Sequence, residues 1–172
     1  MTARTIMIFP EFENMQYIDE LRRKYDPLAF KVRPHITLVF PFESNFNKTE
    51  ILKILDKRLR HIMPFRIYVQ GLSVTDRWLV LNIADGTDIL AEIHKVLYDN
   101  EFSVYKPVWL NNYAPHITVG QFNAVEQAKI AYDKERNFDK SFSFLADKIS
   151  VEIIGNDEES IIETEYLLGS KY

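Results

Sequence analysis

The chain contains no cysteine, which excludes disulfides, thiolate nucleophiles and zinc–thiolate sites together and suits a reducing compartment. Long apolar runs are also missing. The longest, Ile36 to Phe42, has the length of a strand and falls far short of a membrane span. Met1 to Phe9 has one Arg and a short apolar stretch ending at Pro10, without the long apolar region and cleavage site of a secretory signal. The expected location is therefore cytoplasmic, with no membrane contact. Neither sign of charge dominates, because 21 Lys and Arg face 25 Asp and Glu for a net charge of −4. That balance offers no global field to a long polyanion, so any contact with nucleic acid must be local. No Gly- or Ser-rich linker or low-complexity segment divides the chain.

What is present points to a folded body. The 172 residues are 47% hydrophobic and 27% charged, with 12 Phe, 9 Tyr and 2 Trp for a core, which excludes a mostly disordered chain. The length fits one domain or two small lobes sharing a cleft.

Periodicity predicts a strand at Thr5–Phe9, a helix at Glu13–Tyr25 and a buried strand at His35–Phe42. Asn47 with Glu50 has capping-box spacing and opens a second helix that closes at Pro64. Phe65–Leu72 and Trp78–Ile83 read as an antiparallel pair. The second half repeats the order: a helix capped by Thr87 through Tyr98, a loop from Asn100 to Pro115, a strand at His116–Phe122, and a helix behind the capping pattern Asn123 and Glu126. Two strands, Ser141–Ile154 and Ser160–Leu168, close the chain around the turn Gly155-Asn156-Asp157. Residues 1–172 thus read as one α+β body of two pseudo-symmetric lobes. Two mostly antiparallel sheets line a central cleft, with helices on the outer faces.

The tetrapeptide Pro34-His35-Ile36-Thr37 recurs as Pro115-His116-Ile117-Thr118. Chance recurrence at four matched positions is remote, so duplication or shared function explains it. Each copy lies on a predicted strand, where His and Thr two residues apart share a face while Ile points to the core. About a two-fold axis the two pairs would face each other. One imidazole could then accept a proton while the other donates one, and the threonine hydroxyls could bind the oxygens of a phosphodiester. A lone His-x-Thr would be an ordinary strand pair. With no HExxH and no carboxylate at ligand spacing beside either histidine, a metal site is poorly supported, and metal independence is the expectation. No G-x-S-x-G elbow supports a serine-type triad.

The tandem H-I-T motifs on a duplicated α+β chain of this size resemble the two-histidine (2H) phosphoesterase superfamily. This group includes 2′-5′ RNA ligase-like proteins and cyclic phosphodiesterases. The likeness runs from Thr5–Phe9 through Tyr166-Leu167-Leu168-Gly169, and Arg23–Pro27, Pro34–Leu38 and Ala114–Gly120 look closest to its small bacterial YjcG-like branch. The resemblance implies a bilobal fold and cofactor-free, metal-independent hydrolysis of a 2′,3′-cyclic phosphate on a small nucleotide or an RNA terminus. His35 and His116 would be the acid–base pair and Thr37 and Thr118 the phosphate binders. By analogy His116 would activate water and His35 protonate the leaving ribose oxygen, giving a 2′-phosphate. The resemblance also implies that the same site could join two ends through a 2′-5′ bond. A binding module that grips a nucleotide or RNA end without turnover is the competing reading, and oligomeric state has no sequence signature here.

Around the motifs, Tyr113 and Lys106 lead the candidates for substrate contact in the Asn100–Pro115 loop, and Phe42 is a comparable candidate. Arg22, Arg23, Lys24, Lys31 and Arg33 form the densest basic stretch; a solvated helix end explains it more simply than an RNA-facing rim. His61 reads as an exposed helix-end residue and His94 as a surface or boundary residue. With imidazoles as both acid and base, the rate should peak around neutral pH and survive chelator.

Overall fold

The computed structural model describes residues 1–170. Its elements are β1 (Thr2–Ile8), α1 (Gln16–Tyr25), β2 (Ile36–Ser44), α2 (Lys48–Leu59), β3 (Phe65–Thr75), β4 (Trp78–Asp85), α3 (Thr87–Tyr98), β5 (His116–Gln121), α4 (Val125–Glu135), β6 (Ser141–Ala146), β7 (Lys148–Ile154) and β8 (Ser160–Leu167). Two four-stranded sheets form, in the orders β2-β1-β7-β8 and β5-β4-β3-β6, and every pairing is antiparallel. This is the α+β, two-sheet architecture anticipated from the sequence.

The duplication is visible in the units β1-α1-β2 and β4-α3-β5. Each ends in an edge strand that begins at or beside a motif histidine. Registers match as well: Ile36 and Thr37 pair with Ile8 and Met7, as Ile117 and Thr118 pair with Leu81 and Val80. The two units exchange helices. α1 packs on β5 of the opposite sheet and α3 on β2, while α2 covers β8 and α4 covers β3 and β4. Gly120 permits the first exchange, since a Cβ there would lie 2.9 Å from Tyr25 Cβ. Ile36, Ile117, Ile18, Leu55, Ile93 and Leu81 join one continuous apolar core spanning both sheets, and its burial is the main force holding them together.

Three local expectations are corrected. Ser141–Ile154 is two strands, because the chain leaves the second sheet after Ala146 and enters the first at Lys148. The burial phase breaks there: Phe142, Phe144 and Ala146 are buried on one side of the break, Ile149 and Val151 on the other. A strand can reverse the faces it buries only by such a break. α3 is capped by Gly86 rather than Thr87, at φ 89°; a side chain there would be strained and would meet the Arg66 carbonyl oxygen at 2.9 Å. α4 is capped by Ala124 without a side-chain bond, since Gln127 Oε1 reaches back to the Asn123 amide.

The capping box of α2 is present in full. Asn47 Oδ1 accepts from the Glu50 amide at 3.0 Å, and Glu50 Oε2 accepts from the Asn47 amide at 2.8 Å. Asn47→Ala should therefore lower stability by about 1 kcal/mol. Asn123→Ala, at the look-alike position, should stay within about 0.5 kcal/mol of the parent. Urea denaturation of both variants checks the pair.

Candidate active site

Two edge strands facing each other create the site. His35, Thr37, Phe40, Tyr113, Ala114, Pro115, His116 and Thr118 line a small cleft with an empty volume of ≈ 270 Å³. All four motif residues are thus brought together, and both histidines are half-buried. The two rings are held in the same way. His35 Nδ1 lies 2.8 Å from the Arg33 carbonyl oxygen, and His116 Nδ1 lies 2.8 Å from the Ala114 carbonyl oxygen. A carbonyl can only accept, so each Nδ1 carries the hydrogen, and Nε2 is the basic nitrogen of each neutral ring.

Burial holds both imidazoles below their ordinary pKa. For His35 the Arg33 carbonyl opposes that effect; Arg22 lowers the pKa further, Asp26 raises it, and the nearby His116 lowers it again. Both rings line the same small cleft, which accounts for that last influence. None of the side chains lining the cleft carries a fixed charge. The cleft offers two hydroxyls and two proton-exchanging rings, a donor set suited to a singly charged phosphodiester.

The edge of β2 is secured from α3 and the following loop. Tyr113 Oη donates to the Thr37 carbonyl at 2.7 Å, His94 Nδ1 donates to the Leu38 carbonyl at 2.8 Å, and the Phe40 amide donates to Tyr98 Oη at 2.9 Å. His94 stacks on Tyr113 at 3.8 Å and 5° and is 6% exposed. It is therefore a buried strut, not a surface residue. Burial lowers the His94 pKa and raises that of Tyr113, so both stay neutral while they brace the strand.

The other candidates separate. Tyr113 lines the cleft with its hydroxyl spent on Thr37. Lys106 is exposed and outside the lining; its charge is felt at His94. Phe42 is not at the site. It is 5% exposed and packs on Phe102 at 5.1 Å and Tyr105 at 5.3 Å. Phe40 lines the cleft instead, because a register shift between Thr37 and Val39 brings it onto the face of Thr37 and a second shift between Val39 and Phe42 takes Phe42 off that face. Asn82 was not anticipated either. It pairs directly with His116 and accepts from Ser73 Oγ at 2.7 Å. His61 is exposed and bonds Glu92 at 3.0 Å.

Arg22 departs from the solvated reading of its basic stretch. It is 2% exposed, pairs with Asp26 at 2.8 Å and donates to the Val32 carbonyl at 2.7 Å and the Leu28 carbonyl at 3.2 Å. One guanidinium thus ties down the segment that delivers His35. Lys24 and Tyr25 instead meet Glu135 of α4, at 3.0 and 2.8 Å.

Fold and site together define a protein with two H-x-T strands opposed across a cleft, and comparison with known proteins places it. A model of the 2′-5′ RNA ligase superfamily matches residues 9–158, and the chain belongs to that superfamily, the two-histidine phosphoesterases. A "Putative phosphoesterase" of Geobacillus kaustophilus is 32% identical over 123 residues, 67% of each chain. A second, from Geobacillus thermodenitrificans, is 30% identical over 120 residues with the same coverage. Among solved structures, E. coli LigT complexed with 3′-AMP superposes with a TM-score of 0.65 at 16% identity, covering 98% of both chains. LigT complexed with NADP+ gives 0.62 at 14% identity, covering 98% of this chain and 99% of that one.

Arg22→Ala strands Asp26 as an uncompensated buried charge and releases two carbonyls. It should cost about 3–5 kcal/mol of stability, read as a large drop in the urea midpoint, whereas Arg23→Ala, on an exposed neighbour, should stay within about 0.5 kcal/mol.

Proposed function

We propose that this protein is a metal-independent cyclic phosphodiesterase that hydrolyses 2′,3′-cyclic phosphates on small nucleotides or RNA ends in a cytoplasmic setting. The observation that carries the reading is the matched pair of imidazoles. Each has Nδ1 committed to a carbonyl two residues earlier, and the two share one small cleft with two threonines. The superfamily and its phosphoesterase relatives point the same way.

In this reading the cyclic phosphate sits between the rings, with Thr37 and Thr118 donating to its nonbridging oxygens. His116 Nε2 takes a proton from water as the water oxygen bonds to phosphorus. The bond to the ribose 3′ oxygen breaks, and protonated His35 gives its Nε2 proton to that oxygen. The products are a 2′-phosphate and a 3′-hydroxyl. An anion between the rings favours the protonated form of His35 that this step requires. With the 5′ hydroxyl of a second end in place of water, the same parts would join two ends through a 2′-5′ linkage as the 3′ oxygen leaves, which is compatible with the superfamily. Among the described residues no group of three or more His, Asp or Glu side chains converges as a metal-ligand set, and none is assigned a step. No described helix is long and apolar enough to cross a membrane.

The test is turnover of 2′,3′-cyclic nucleotides by the parent, His35→Ala and His116→Ala. Each variant should lose about 10²–10⁴-fold in rate while remaining folded. Binding without turnover in the parent would make the protein a nucleotide-binding module instead.

Activity in kcat/KM should follow a bell, because one ring must be neutral and the other protonated. Burial lowers both pKa values. Falling pH removes the base only once it passes the lowered value, and rising pH removes the acid early. The maximum should therefore lie on the acidic side of ~6.5, the ordinary imidazole value, and persist in EDTA. A maximum well above that value, or restoration by added metal, would contradict the mechanism.

A further inference from the structure

The duplication makes the two histidines alike but gives them different surroundings. On the second motif, the residue whose carbonyl holds the ring is Ala114, and the cross-strand neighbour is Asn82. On the first motif, the corresponding positions are Arg33 and Phe9. The Arg33 guanidinium carbon lies 4.3 Å from the centre of the Phe9 ring, and the same ring meets His35 edge-on at 6.2 Å between centroids. Phe9 is 5% exposed and buried against Met7 and Val32, so it is a fixed shelf between the cation and the imidazole. The Arg33 side chain itself is 54% exposed.

Its carboxylate contact within the protein is long and shared. Glu11 approaches Arg33 only to 3.8 Å, while Lys148 claims the same carboxylate oxygen at 3.1 Å and also meets Glu165 at 3.3 Å. The cleft has no fixed charge among its lining side chains. A substrate with a second phosphate would therefore find its preorganised cation on the His35 side, one ring away. The 4.3 and 6.2 Å steps through the Phe9 ring set an upper limit on the separation of the guanidinium from the His35 ring.

We propose that the Arg33 guanidinium binds a second phosphate of the substrate, one nucleotide step from the phosphate held between His35 and His116. The inference rests on the phosphodiesterase reading and narrows it. The preferred substrate is a 2′,3′-cyclic phosphate whose own nucleotide carries a 5′ phosphate, oriented with that phosphate toward His35. The recognised chemistry is shared by a free 5′-phosphorylated nucleotide and by the last phosphodiester link of an RNA end.

The experiment compares kcat/KM for three substrates: adenosine 2′,3′-cyclic phosphate, its 5′-phosphorylated form, and an adenosine dinucleotide ending in a 2′,3′-cyclic phosphate. The parent should favour the substrates with the second phosphate by about tenfold or more, the scale of a charge-assisted hydrogen bond. Arg33→Gln should remove most of that preference, and Arg33→Lys should keep part of it, retaining the charge without the planar stack. Preference for both longer substrates identifies an RNA end, and preference for the 5′-monophosphate alone identifies a free nucleotide; both support the inference. Equal rates on all three in the parent, or an equal proportional loss on all three in Arg33→Gln, would overturn it, the latter because the side chain would then act only by supporting His35. If no substrate is turned over, calorimetric binding of 3′-AMP and of adenosine 3′,5′-bisphosphate decides the point separately. A bisphosphate preference that depends on Arg33 upholds the inference while the hydrolytic reading falls. Equal affinities remove the inference.

Discussion

An edge strand must satisfy a row of backbone groups that has no neighbouring strand, and this protein has placed both of its motif strands at such edges. For β2 the solution is a set of side chains from the opposite unit. Tyr113, His94 and Tyr98 bond the Thr37 carbonyl, the Leu38 carbonyl and the Phe40 amide in turn. These contacts fix the strand that carries His35 and Thr37 while leaving its inner face open.

The electrostatics of the site follow from that placement. Between two sheets the histidines lose solvent, which favours their neutral forms, and each keeps a carbonyl partner that fixes which nitrogen is basic. The nearest buried ion pair, Arg22 with Asp26, is closed on itself, and its two members press on His35 in opposite directions. The cleft is therefore close to electrically neutral. That condition leaves each imidazole able to give or take a proton. The asymmetry lies in the surroundings: an aromatic shelf with a cation beside His35, and the Asn82–Ser73 pair beside His116.

The helix exchange is what makes two duplicated units inseparable. α1 leaves the first sheet to pack on β5, and α3 leaves the second to pack on β2. Each motif strand therefore rests on a helix from the other unit. β7 and β8, last in sequence, then return to the first sheet beside β1. The site is consequently a property of the assembled core, and the apolar packing that joins the sheets also sets the spacing of the two histidines.

The sequence alone specified which residues of the repeat share a face, because a four-residue repeat on two strands leaves little freedom there: His35 with Thr37, His116 with Thr118. It also specified the α2 cap and the β3–β4 and β7–β8 hairpins, which arise from interactions between residues close together in the chain. The tertiary structure decided what depends on distant partners. Arg22 looks like a solvated helix-end cation until three acceptors of the loop after α1 close around it, and His94 looks like a boundary residue until β2 covers it. Phe42 leaves its expected place, and Phe40 lines the cleft, because register shifts depend on the partner strand. The break at Asp147, which sends one continuous β pattern into two different sheets, was legible only as a change of burial phase between Ala146 and Ile149. Local hydrogen bonding and side-chain periodicity travel with the sequence; burial, register and the charge around a group are set only when the remote parts of the chain come together.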